Sequence, residues 1–298
     1  MHSGAKVLLL AATGLLSWAG CGAADVEGVG PRFRESLLGA AAGPSECIEV
    51  RLGEYNVFLL EDYTFGTDVE GRVAAGGNIA MNHFSVGRKV PESLQAQSVV
   101  AGGDLLLSNG AVWGNAWHGG LYTPRSSVTF AGGTALQGTP IDFTARSAEL
   151  RGLSVRLAAL PANATVAIEP WGGIQLLGTE PDVNVFEVPA SAFHGAKVLA
   201  IDAPAGSLAV INIRGSSATF RGFGLSLSGG IDSRDVLYHF VDTWLLDAEG
   251  YGFAGTVLAP RAHITFFQGS FHGGIYARSL TGNASGHLHA LRDRDLCP

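Results

Sequence analysis

A chain of 298 residues with 47% apolar content is long enough for one large domain or two small ones, and too apolar for a disordered tract. Only 15% of residues are charged and 42 are glycine, about twice the usual glycine share, which points to closely stacked strands joined by tight turns. A formal charge of -7 argues against nucleic acid as a partner, because binding phosphates needs a basic footprint.

The N-terminus has the three parts of a secretory signal in order. Met1 to Lys6 carries one positive charge, and Val7 to Gly20 is apolar throughout. That run is shorter than the roughly 20 residues a membrane-spanning helix needs, so residues 1–20 are predicted to be a signal peptide. Ala19-Gly20-Cys21-Gly22 resembles the lipobox of bacterial lipoproteins, in which the cysteine becomes the lipidated first residue. Trp18 stands where that pattern has an aliphatic residue, and the competing route is cleavage after Gly22-Ala23-Ala24, which releases a soluble protein without Cys21. Residues 21–44 read as a Gly/Ala-rich tether, and residues 45–298 as one domain with no linker inside it.

Repeats organise the domain. Ala75-Gly76-Gly77-Asn78-Ile79, Ala101-Gly102-Gly103-Asp104-Leu105 and Ala131-Gly132-Gly133-Thr134-Ala135 are copies of Ala-Gly-Gly-polar-apolar, each after a β-rich run. Trp117-His118-Gly119-Gly120-Leu121-Tyr122 also matches Phe271-His272-Gly273-Gly274-Ile275-Tyr276, so the two halves are read as sharing one unit. Rungs of a β-solenoid (β-helix) explain both spacings, because each coil buries its apolar face only by stacking on the next. Alternation at period two places Val73, Ile79, Val100, Leu105, Val128, Val257 and Ile275 in a dry, aliphatic interior.

One segment breaks the strand rhythm. From Asp142, a plausible N-cap, Phe143, Leu150, Leu153, Leu157 and Leu160 recur at sevens and threes until Pro161, with Arg146, Glu149, Arg151 and Arg156 mostly on the other side. An amphipathic helix over about 142–160 is predicted, laid along the solenoid's flank. Strand patterns then return, as in Val183–Val188, Lys197–Ile201, Leu208–Ile213, Val236–Phe240 and Gly255–Pro260.

The cysteines are Cys21, Cys47 and Cys297. In an oxidising compartment two pair and one is left for the lipid. A bond between Cys47 and Cys297 needs Cα atoms within about 7 Å, yet a solenoid wound in sequence order holds its ends apart. The pairing therefore predicts non-sequential winding.

Chemistry is sparse. The sequence has no Gly-x-Ser-x-Gly, His-Glu-x-x-His, phosphate-loop or Cys-x-x-Cys motif. Asp232, Asp235, Asp242, Asp247 and Glu249 are the acids a polysaccharide-cleaving β-helix enzyme could use, but their irregular spacing suits solvated turns. His287 and His289 share a strand face and would need His118 or His272 to hold a metal. The expectation is instead that His118 and His272 bond backbone carbonyls at the Gly-Gly bends. No metal, cofactor or catalytic residue is expected.

Several motifs resemble the choice-of-anchor A family of bacterial surface proteins, which is grouped with adhesive domains. They are Tyr55-Asn56-Val57-Phe58, Val69–Asn78, the helix ending at Leu160-Pro161, Phe253–Pro260 and Gly274–Gly282, in that order. The resemblance implies a β-helix-like domain at the cell surface with an adhesive role. Members are usually anchored by a C-terminal sorting segment, and here a lipid on Cys21 is expected to take that part. The expected partners are the membrane, through the lipid, and a surface glycan or protein ligand presented to a face with Trp113, Trp117, Phe266 and Phe267. The expected location is the cell envelope, or the medium if the chain is released. The final coils also resemble ice-binding β-helices, although ice binding needs a regular Thr-rich face and Thr129, Thr134 and Thr265 look sporadic.

Overall fold

The computed structural model describes residues 47–297, a mainly β solenoid with one flanking helix. On the helix side ten parallel strands stack in one sheet. Their spatial order runs from Ala135–Gln137 through Ala116–His118, Val99–Ala101 and Val73–Ala75 to Val57–Leu59 in the middle. It continues with Ile275–Gly282, Thr256–Phe267, Val236–Phe240 and Leu208–Arg214, ending at Val183–Pro189.

The chain therefore starts mid-stack and winds outward to residue 137. It crosses to the opposite end through the helix Phe143–Ala158, then winds back until Ile275 pairs with Val57. Sixteen helical residues span about 24 Å, or about five rungs at roughly 4.8 Å each. Asp142 caps the helix by accepting from the Ala145 amide, and Leu150, Leu153 and Leu157 are buried against the sheet.

This winding brings the first and last described segments together beside the helix. Ile48–Val50 pairs antiparallel with Arg294–Leu296, and Cys47 is disulfide-bonded to Cys297 with the Cα atoms 4.3 Å apart.

The helix also explains the hydrophobic pattern. Leu208–Ile213 and Val236–Phe240 are buried at every position, because one face of each strand meets the interior and the other meets the helix or its neighbours. Strands on the uncovered second side, such as Ser217–Arg221 and Leu245–Glu249, alternate instead. A third side carries Gly252–Ala254, Ser270–His272 and Ser285–His287.

The corners correct the reading of the repeats. Ala75-Gly76-Gly77 stacks on Ala101-Gly102-Gly103, and the next turn in that column is His118-Gly119-Gly120. A Cβ on Gly119 would lie 2.1 Å from the Gly102 carbonyl oxygen, so only glycine permits this approach. The polar residue of the motif ties the column together: Asp62 accepts from the Asn78 amide, Asn78 from Asp104 and Asp104 from Leu121, at 2.6 to 2.8 Å. Ala131-Gly132-Gly133 turns elsewhere, over Gly114. Phe271-His272-Gly273 also occupies a different corner, stacked on Gly255, so the two aromatic-His-Gly-Gly segments are not equivalent.

Of the residues expected inside, Val73, Ile79, Leu105, Val257 and Ile275 are in the interior cluster. Val100 is buried on the opposite face, with Leu150 and Leu153 of the helix, and Val99 points inward in its place. Val128 is only half-buried. Nor is the interior aliphatic throughout: Phe193, Phe220, Tyr251, Phe253 and Phe266 form a stacked aromatic slab in the C-terminal half.

Candidate functional site

Cys21 lies outside the described residues. The acids considered for catalysis are dispersed, and each has a structural partner. Asp232 pairs with Arg234 at 2.9 Å, which holds its carboxyl well below the usual range. Asp235 is fully buried between Arg292 and Arg294, and Asp242 accepts from the Gly215 amide at 2.8 Å. Asp247 and Glu249 share Arg221.

His118 is remote from His287 and His289 in the stack; its Nδ1 lies 2.9 Å from the Gly120 carbonyl, as expected of a turn residue. His272 does not follow that expectation. It packs on His287 and His289 with ring centroids 4.5 and 5.3 Å away, and burial together with these two neighbours lowers its pKa. Among the described residues no three metal-ligating side chains form a metal site.

A further constellation was not visible in the sequence. Ser154 lies 2.7 Å from His239 Nε2, His239 Nδ1 lies 2.7 Å from Asn212 Oδ1, and the Asn212 amide donates to Glu187. Because the Asn212 oxygen can only accept, Nδ1 carries the proton and Ser154 donates to Nε2. The connectivity is that of nucleophile, base and orienting group, but His239 is fully buried and Ser154, on the helix's inner face, is 6% exposed. No substrate reaches it. The chain of hydrogen bonds locks the helix to the sheet, and burial holds the His239 pKa down at about 3.

One face open to a ligand is the second side. Pairing across successive rungs aligns Thr219, Asp247, Thr265, Thr281 and Thr64 in one outward row, with Thr64 and Thr281 hydroxyls 2.8 Å apart. Parallel rows hold Ser217, Leu245, His263 and Ser279, and Arg221, Glu249 and Phe267. These threonines are separated by 16 to 217 residues, so the sequence scatters what the fold collects. Of the aromatics expected on the surface, Phe266 is interior, Trp113 and Trp117 are half-buried, with the Trp117 indole donating to the Ala96 carbonyl, and Phe267 is on the second side. Among the described residues, Phe65, Trp171 and Trp244 are the strongly exposed aromatics.

Solved structures similar to this chain include an ice-binding protein from the Antarctic ascomycete Antarctomyces psychrotrophicus, with 14% identity, 82% of this chain and 97% of that chain covered, and a TM-score of 0.44. Another is an ice-binding protein from an Antarctic biological consortium, with 15% identity, coverage of 80% and 89%, and a TM-score of 0.40. A third is an ice-binding protein from an Arctic yeast, with 12% identity, coverage of 82% and 94%, and a TM-score of 0.40. No curated protein matches the sequence. Residues 50–289 match the family model described as "Putative Ice-binding-like adhesive domain". That match covers most of the chain, which belongs to this family of ice-binding-like adhesive domains.

Proposed function

We propose that the chain is a non-catalytic adhesive domain displayed on the bacterial cell envelope, of the choice-of-anchor A type, and held there by a lipid on Cys21. The observation that carries the adhesive reading is the second side, a regular outward sheet face with an in-register row of half-buried hydroxyls. The acids that a polysaccharide-cleaving enzyme would need are already engaged by arginines or backbone. The test is adhesion of cells that display the chain to surfaces coated with envelope glycans or proteins, compared with cells displaying a chain altered at Thr265 and Thr281. Equal adhesion by both would remove this face from the function.

Ice binding is a second reading, favoured by the same threonine row. Thermal hysteresis and inhibition of ice recrystallisation by the purified chain test it, and a null result in both assays excludes it.

A further inference from the structure

On the second side the chain carries a side chain that its own packing does not explain. Phe65 has a φ of +62° and is 67% exposed. A left-handed conformation is costly for a residue with a Cβ and is normally left to Gly, Asn or Asp. The other left-handed positions outside glycine among the described residues hold His83, Asn109, Ser126 and Gln268, all polar; Phe65 puts a large apolar ring there. Phe65 sits at a bulge, where pairing shifts between Tyr63 and Gly66, and bulges re-aim side chains. A strained, solvent-facing aromatic is an outlier from which function can be inferred.

Its surroundings say what it could hold. The Phe267 ring is 6.5 Å away at an angle of 52°, and the Thr64–Thr281 pair and Thr265 lie alongside in adjoining rungs. When the two paired hydroxyls bond each other, one O–H and several lone pairs stay free for a ligand. The ionised neighbours are Asp247, in register with Thr265, and Glu249, in register with Phe267; both are acids paired with Arg221 one rung away.

Building on the adhesive reading, we propose that Phe65, Phe267, Thr64, Thr265 and Thr281 form a binding site for a neutral polysaccharide lying across the rungs. The carbon-bound hydrogens of a pyranose face would rest on the two rings, and its hydroxyls would exchange hydrogen bonds with the threonines. The rung spacing of roughly 4.8 Å is close to the length of one sugar unit in an extended chain. The two flanking carboxylates disfavour acidic polymers. Phe65 stands proud of the face, which disfavours a flat ice lattice.

The test uses the purified chain in pull-downs on cellulose, chitin and curdlan and in affinity electrophoresis through dextran, mannan and xyloglucan, with alginate as the anionic control. Binding to at least one neutral polymer is expected. Phe65→Asn should weaken it about tenfold, the equivalent of one aromatic contact, while leaving the melting temperature equal or higher, because Asn accepts the left-handed backbone. Thr281→Val should also weaken binding. Retention by alginate alone, binding to none of the neutral polymers, or Phe65→Asn binding like the parent would each overturn the proposal. If displaying cells still adhere to protein-coated surfaces in that case, the glycan site fails and the adhesive reading stands; if they adhere to nothing, both fail.

Discussion

Cys47 and Cys297, separated by 250 positions in the sequence, are joined with their Cα atoms 4.3 Å apart, because the first and last segments of the domain return to one place beside the helix. Closing a loop of that length should contribute around 5 kcal/mol in the chain-entropy model. The double variant Cys47→Ser/Cys297→Ser is expected to fold and to melt at a markedly lower temperature. An unchanged melting temperature would mean that the Ile48–Val50 and Arg294–Leu296 pairing alone holds the ends.

His239 makes stability depend on pH. Burial, and secondarily the positive Arg214, lowers its pKa from 6.5 to about 3, so the unfolded chain binds the proton more readily. Its contribution is complete above about pH 6.5 and is lost progressively as pH falls from there toward about 3. Urea unfolding at a series of pH values should show this slope, and His239→Gln should flatten it while lowering stability at pH 7.

Two glycine substitutions should act in opposite directions. Gly119→Ala forces a Cβ to within 2.1 Å of the Gly102 carbonyl oxygen and should disrupt the column of corners. Gly152 is in the helix, and a Cβ added there would meet nothing within 4 Å, so Gly152→Ala should stabilise by about 0.5 to 1 kcal/mol. Thermal melts of the two variants compare them directly.

Ile275 lies in the interior, in the rung where the returning chain meets Val57. Ile275→Ala should lower the unfolding free energy by about 2 to 5 kcal/mol. Denaturant titration measures it, and an effect below about 1 kcal/mol, the size of a surface change, would contradict the assigned inward register.

Mass spectrometry of the mature N-terminus from the native host should find Cys21 diacylated or triacylated. A soluble product beginning at Asp25 would rule out the lipid anchor.

The sequence by itself determined the solenoid, the helix and the meeting of the two ends, because these rest on local or covalent signals. Period-two alternation marked the rungs, Asp142 and Pro161 bounded the helix, and the positions of Cys47 and Cys297 required a winding that does not follow chain order. Only the tertiary structure decided which residues share a surface. Val99 and Val100 are both fully buried, so alternation cannot say which points inward; the helix covering the outer face removes the polar half of the pattern. The threonine row, the pairing of Phe65 with Phe267, and the approach of His272 rather than His118 to His287 depend on the register between rungs. That register is set by packing across the interior, which aligns residues far apart in the chain and leaves no trace in their immediate neighbours.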